Sequence, residues 1–334
     1  MIIEKSKEIV NAIGNVIIGK EDVIRKMLMA VYADGNILLE DTPGVGKTTL
    51  ALSFAKALGL DFKRVQFTPD VMPSDITGFS VYNKDTGKFD YKEGAIVCNL
   101  FMGDEINRAS AKTQSALLEA MEENSVTVDG VTHRLPDPFI CIATQNPVGS
   151  AGTQPLPESQ LDRFMVKLSI GYPDAAEQVE ILRRHVACDP IENLQQITDR
   201  ESIKEIQNYL SSVKVADDIF GYMVELCEAT RHNPLIDLGV SPRGLLALSR
   251  MVRACAVLNE RDYVVPADVK EVFCDVGAHR LILKPRARLE GMTATEILKT
   301  VLNNVPAPEI GKASAKKAPE PETVKSKTKK HGGK

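Results

Sequence analysis

A chain of 334 residues is long enough for about two domains at the usual ~150 residues each, which excludes a peptide or a disulfide-stapled mini-scaffold. With 43% apolar and 26% charged residues the composition is that of an ordinary globular protein, and 45 acidic against 41 basic side chains leave a net charge of −4. Eight lysines and three glutamates follow Val305, so residues 1–305 carry −9, a poor match for a phosphate backbone that sets nucleic acid below protein as a partner.

The N-terminal stretch MIIEKSKEIVNAIG carries Glu4, Lys5, Lys7 and Glu8 and lacks the apolar core of a signal peptide. From there to Gly171, short apolar runs alternate with helix-like segments, the pattern of βα units around a mostly parallel sheet. Strands are predicted near 37–40, 64–67, 96–102, 139–144 and 164–170. Unbroken apolar runs such as Phe139-Ile140-Cys141-Ile142-Ala143 suit strands covered on both faces. Two hairpins interrupt this order: 79–82 with 88–91 around a longer loop, and 125–133 around Asp129-Gly130, a strong two-residue turn signal. Sheet edges need no such excursions, so both are expected to be contact surfaces.

After Gly171-Tyr172-Pro173 helical periodicity takes over, near 175–186, 202–210, 216–230, 242–258 and 266–281, with Ser241-Pro242 the clearest start signal. Beyond Val305 the lysine-rich segment has too few large apolar residues to fold and reads as a disordered basic tail. The expected organisation is α/β: a sheet domain over 1–171, a helical domain over 172–305 and the tail over 306–334.

The six cysteines are at least 19 residues apart, with no CxxC pair and no histidine at metal-ligand spacing, so reduced buried thiols are expected in place of disulfides or zinc. No apolar stretch reaches the ~18 residues of a membrane span; even the run 245–258 is cut by Arg250 and Arg253. A cytoplasmic protein is expected.

The strongest motif follows the first strand: Asp41-Thr42-Pro43-Gly44-Val45-Gly46-Lys47-Thr48-Thr49, leading into a helix stopped by Gly59. This is a P-loop. Its glycines let the backbone of 43–49 close around a phosphate, the helix presents its positive end, Lys47 adds a point charge, and Thr48 can hold Mg²⁺. One position departs from the GxxxxGK[ST] pattern: Asp41 stands where the first glycine belongs. A carboxylate there brings negative charge toward the phosphates, and with it an expectation of weaker nucleotide affinity than a consensus loop gives.

The second motif, Leu100-Phe101-Met102-Gly103-Asp104-Glu105, is an apolar strand ending in two carboxylates. Beside a P-loop, Asp104 can accept from Mg²⁺-bound water and Glu105 can polarise the attacking water. The third, Ile142-Ala143-Thr144-Gln145-Asn146-Pro147, ends a strand in a polar cluster where Asn or Thr could orient that water between Glu105 and the γ-phosphate.

In combination, the strings GNILLEDTPGVGKT, DEINRASAKTQSALLEAMEENSVTVDGVTHRLPDPFICIATQNP and LPESQLDRF resemble the MoxR family of AAA+ ATPases, over about residues 16–283. The resemblance implies a sheet domain followed by a helical lid, with ATP and Mg²⁺ between them, and rings, usually hexamers, with active sites at the subunit interfaces. It puts Asn146 on sensor 1 and Arg243 on sensor 2, a lid arginine able to reach the γ-phosphate. Arg163 falls on the arginine finger that reaches the neighbouring subunit's nucleotide, and Ile18-Gly19 on the adenine pocket. The hairpins fall on the helix-2 insertion (72–95) and on the hairpin before sensor 1 (125–134). Tyr82, Phe89 and Tyr91 could there touch a protein client or simply pack within the hairpin.

The implied function is ATP hydrolysis by a ring that remodels or matures protein clients, including metal-cofactor insertion, with a von Willebrand factor A-type domain partner. A chelatase-like motor subunit is the alternative, distinguished only by its partner. A nucleic-acid translocase predicts basic pore hairpins, whereas 125–134 has only Asp129, His133 and Arg134 as ionisable residues. A nucleotide-gated scaffold without turnover would require an impaired catalytic set. For the arginines the plainer readings are a surface ion pair of Arg163 with Asp162 or Glu158, and an ordinary lid charge for Arg243. Arg108 carries no assigned role.

Overall fold

The structure, a computed structural model, describes residues 2–146, 155–187 and 190–309. Helices α1 (Ile2–Gly14) and α2 (Glu21–Tyr32) lead into β1 (Ile37–Glu40), α3 (Lys47–Leu58) and β2 (Phe62–Gln66). The short α4 (Pro73–Thr77) precedes the hairpin β3 (Gly78–Asn83) and β4 (Lys88–Glu93), then β5 (Leu100–Asp104) and α5 (Ala111–Glu123). The second hairpin, β6 (Ser125–Val128) and β7 (Val131–Arg134), precedes β8 (Ile140–Gln145), α6 (Glu158–Leu161) and β9 (Val166–Leu168). The helical half contains α7 (Ala175–Ala187), α8 (Arg200–Leu210), α9 (Asp217–Arg231), α10 (Pro242–Leu258), α11 (Pro266–Gly277), α12 (Pro285–Leu289) and α13 (Ala294–Asn304). It also holds one short antiparallel pair, β10 (Ile236–Leu238) with β11 (Ile282–Leu283), which helical periodicity does not reveal.

Five strands form the central sheet in the order β2-β5-β8-β1-β9, every neighbouring pair parallel. The three inner strands are buried almost throughout, as their unbroken apolar runs require. Because all five run the same way, Glu40, Asp104 and Gln145 end at one edge of the sheet, which is where α/β folds place ligands.

Two strand boundaries differ from the periodicity. Ile96 and Cys98 are buried but precede β5, because the amides of Ala95 and Ile96 bond to Asp75 and Ile76 carbonyls instead of a ladder partner. At β9 the ladder covers only Val166–Leu168: Phe164 is taken by a turn on Leu161, and Ile170 donates its amide to the Asp41 side chain. Both hairpins form. Asp129 and Gly130 sit at φ 50 and 79, the left-handed pair of a tight two-residue turn. Tyr91 stacks on His133 with ring centroids 3.8 Å apart, joining the two hairpins, while Tyr82 and Phe89 meet edge to face and stay exposed.

Apart from a small cluster around Ile236, Ala287 and Ile297, the helical half does not keep a core separate from the sheet domain. One apolar cluster runs from Ile9, Met27 and Leu39 through Phe54 to Leu226, Met251 and Val272, so the lid helices pack on the face of the sheet domain carrying α1 and α2. Arg25 donates to Asn259 at 2.7 Å and Lys26 pairs with Asp275 at 3.0 Å across that seam. A second cluster fills the opposite face around Phe67, Phe101, Leu117 and Phe164.

Among the described residues all cysteines are free and four are buried; burial pushes the Cys98 thiol up to about 12 and Cys227 to about 11. Cys188 and tail residues 310–334 lie outside the described residues. No helix among the described residues is long and apolar enough to cross a membrane.

His279, in the turn after α11, is buried with Nε2 3.0 Å from the Phe164 carbonyl. Burial first, and the Arg280 cation next, hold its pKa well below 6.5, so it is neutral in the fold. The unfolded chain binds a proton near pH 6.5 that the fold refuses. This contribution is therefore complete above that pH and falls on acidification by about 1.4 kcal/mol per pH unit until the folded pKa is reached. Urea midpoints measured from pH 7.5 to 5.5 should drop less for His279→Gln than for the parent.

Candidate active site

The P-loop leaves β1 at the carboxyl edge of the sheet. Gly44 and Gly46 take φ values of 86 and 92, left-handed conformations that side chains resist, and no side chain caps α3 at Gly46. The first-turn amides of α3 are thus free to receive an anion. Lys47 is buried, and its ammonium donates to the Asp41 carbonyl at 2.5 Å and the Thr42 carbonyl at 3.3 Å. Burial lowers the Lys47 pKa while Asp41, Asp104 and Glu105 hold it up, so its charge is set among three carboxylates. Thr48 and Thr49 follow in the first turn, half-buried and exposed respectively, and Pro43 and Val45 complete the loop.

The Asp41 side chain does not point its charge at the phosphate cradle as the sequence suggested. Its carboxylate turns to the end of β9, where it accepts from Ser169 Oγ at 2.8 Å, Ile170 N at 2.5 Å and Gly171 N at 3.2 Å. Backbone dipoles absorb the charge, which removes the physical reason for a weakened loop.

Beside the loop, Asp104 and Glu105 end β5. Asp104 accepts from Thr144 Oγ1 at 2.5 Å and from Arg64 at 2.6 Å. Glu105 turns the chain at φ 57, its amide fixed by Thr144 Oγ1 at 2.8 Å. Its two carboxylate oxygens are held separately, Oε1 by the Asn146 side-chain amide at 3.0 Å and Oε2 by Arg108 at 2.8 Å. The strand-end amide, expected to orient a water beside Glu105, thus bonds the Glu105 carboxylate directly. Among the described residues Asn146 Oδ1 and Asn107 Oδ1 are buried acceptors with no donor, so polar capacity is left over beside Glu105 for a water. Thr48 and Asp104 offer hard oxygen donors of the kind a divalent cation takes.

Thr144 fastens both acids at once, donating to Asp104 and accepting from the Glu105 amide. Thr144→Val keeps the shape and removes both bonds, leaving a buried carboxylate short of a donor. Turnover should fall about 10- to 100-fold with KM little changed, together with a loss of about 1–3 kcal/mol of stability. Steady-state kinetics and denaturant melts would measure the two effects.

At the segment expected to line the adenine, Gly19 lies at φ 71 against the first turn of α7, where an added Cβ would come within 1.7 Å of Glu177 Oε1. Ile18-Gly19 is thus pressed onto the start of the helical half, and Lys20 donates to the Tyr172 carbonyl at 3.0 Å.

Arg163 and Arg243 are elsewhere. They meet at Glu122, near the end of α5, Arg163 at 3.2 Å and Arg243 in a close ion pair. Together with Asn36, Phe139 and Met165, the residues that precede β1, β8 and β9, they line a cavity of about 260 Å³. This is the amino edge of the sheet, one strand length of roughly 13 Å from the loop. Arg243 therefore does not reach its own chain's loop. Arg163 pairs with neither Asp162 nor Glu158. Asp162 instead accepts from Ser241, the cap of α10, at 2.9 Å and from the buried Arg280 at 2.8 Å, so it locks the segment bearing Arg163 to the helix bearing Arg243.

Sequence reasoning left Arg64, Glu122 and Arg280 unremarked, and no local signal marks them. Arg108 stands three residues after Glu105, an i,i+3 spacing that could have suggested the pair.

A family profile described as "ATPase family associated with various cellular activities (AAA)" matches residues 36–166, and an AAA lid domain profile matches 228–301. YeaC of Bacillus subtilis is 48% identical over 90% of this chain and 93% of its own length. Chaperone MoxR1 of Mycobacterium tuberculosis is 37% identical over 89% of this chain and 80% of its own. A crystal structure of an ATPase candidate from Cytophaga hutchinsonii superposes with a TM-score of 0.85 at 39% identity, covering 92% of this chain and 96% of that one. With the AAA and AAA lid profiles matched in order and 37% identity to Chaperone MoxR1 over most of both chains, the chain belongs to the MoxR family of AAA+ ATPases.

Proposed function

We propose that the chain hydrolyses ATP in a closed ring, each site completed by arginines from the next subunit, and uses the cycle to remodel or mature a protein client. The observation that carries this reading is the separation of the two halves of the site: acids at the carboxyl edge, Arg163 and Arg243 at the amino edge. Two guanidiniums share the single Glu122 carboxylate, so the cluster holds a positive charge that a neighbour's γ-phosphate would match. A head-to-tail interface that brings opposite edges together forms a ring when the rotation between subunits closes, as in the proposed assembly.

In this reading Glu105 accepts the proton of the attacking water and Asn146 fixes the carboxylate and the water. Lys47 and the loop amides of 44–49 hold the phosphates, Pro43 shaping the turn before them, and Ile18-Gly19 lines the base. Mg²⁺, held through Thr48 and Asp104, supplies neutralisation of phosphate charge. A hexamer, cytoplasmic location, a von Willebrand factor A-type partner and protein clients follow the family, and the exposed Tyr82 and Phe89 are surface such a partner or client could cover.

The test is ATP hydrolysis per protomer against protein concentration, with Glu105→Gln as the blank and sizing in parallel. The rate should rise as rings assemble. A Glu105-dependent rate that stays constant in a monomer would contradict the proposal.

A further inference from the structure

Where the phosphate-loop pattern has glycine, this chain has a buried aspartate with three donors on its carboxylate. All three, Ser169 Oγ, Ile170 N and Gly171 N, lie in the few residues that carry the chain from β9 to α7, the first helix of the lid. We propose that Asp41 is a positioning residue that couples the phosphate loop to this linker, so that occupation of the loop by nucleotide phosphates is passed to the lid. The proposal rests on the reading that the loop binds nucleotide.

Asp41 is held at both ends. Its side chain grips the linker, and its carbonyl accepts from Lys47, the group that bound phosphates recruit. Next to it, the Thr42 carbonyl also faces Lys47, while Thr42 Oγ1 bonds to the Tyr172 hydroxyl at 3.0 Å. Lys20, beside the adenine segment, takes the Tyr172 carbonyl. Within residues 169–172, therefore, contacts come from the loop and from the adenine side, and the chain turns at Gly171 with φ 68. When Lys47 moves onto phosphate oxygens it leaves the Asp41 and Thr42 carbonyls, and whatever shift the loop makes is delivered to residues 169–172 through the carboxylate.

Glycine at 41 would preserve the loop and abolish the link, leaving the Ile170 and Gly171 amides without that acceptor. Asparagine keeps the size, yet one of its two terminal groups is a donor and would face a donor.

Amide exchange of a peptide spanning 169–175 reads the two amides directly, and a peptide spanning 43–50 reports occupancy in the same experiment. Parent, Asp41→Gly, Asp41→Asn and Ser169→Ala are compared with and without MgADP. In the parent, MgADP should change exchange of 169–175 by about 5-fold or more. In Asp41→Gly that segment should exchange about 10-fold faster and be indifferent to MgADP, although 43–50 is still protected. Asp41→Asn should behave like the glycine variant, and Ser169→Ala, which leaves the loop sequence intact, should show the same trend at about 3-fold. In turnover, both Asp41 variants should lose kcat with KM held within about 3-fold.

A 169–175 response that survives in the Asp41 variants, or is absent from the parent while 43–50 is protected, overturns the proposal. So does loss of MgADP protection at 43–50 in the Asp41 variants alone, which would make Asp41 part of the binding site. No protection of 43–50 in the parent would overturn the nucleotide reading itself.

Discussion

Replacing Arg163 with alanine should lower ATP turnover by about three orders of magnitude while the protomer's own affinity for nucleotide is unchanged. The split follows from position. Arg163 stands after α6 at the amino edge, ion-paired to Glu122, and its own loop lies at the far ends of the strands. Removing it leaves the protomer's own loop untouched and, in the proposed ring, deletes a guanidinium that stabilises charge only on a neighbour's transferring phosphoryl group. Binding of a fluorescent ATP analogue and turnover by assembled rings separate the two effects. Equal losses in both would put Arg163 back on its own site.

Glu105→Gln should lower kcat by about 10²- to 10⁴-fold with ATP still bound. The substitution is nearly isosteric, and the glutamine oxygen can still accept from Asn146. It loses the charge proposed to polarise water, and Arg108 loses its ionic partner at 2.8 Å. Because Asp104, Thr144 and Lys47 keep their own bonds, the loop and the Asp104 carboxylate should stay in place. A variant that retains more than about a tenth of parental turnover would show that another group serves as the base.

The sequence reveals most where chemistry and local periodicity coincide. The inner strands are readable because both faces are buried, and the Asp129-Gly130 turn because only that backbone closes the hairpin so tightly. Asn146 beside Glu105 follows from two parallel strand ends, whose residues must come level. Other features depend on where distant segments meet. The direction of the Asp41 carboxylate is set by amides some 130 residues further on, and no loop pattern encodes it. Arg243 occupies the expected first turn of its helix, yet the lid packs α10 against α2, so that turn faces the amino edge. Glu122 looks like any exposed helix acid until two arginines converge on it. The lid's dependence on the sheet domain for its core was likewise hidden, because amphipathic periodicity shows which face is buried but not against what.

The central claim is that each site is shared between subunits, and mixing two inactive variants tests it most directly. Glu105→Gln protomers retain Arg163 and Arg243, whereas Arg163→Ala protomers retain a complete set of acids and loop. In random heterologous rings about a quarter of the interfaces would combine an intact Glu105 with a donated Arg163, so a 1:1 mixture should recover about a quarter of parental turnover. A mixture no more active than the mean of its two components, with mixed rings present by native mass spectrometry, would contradict the account.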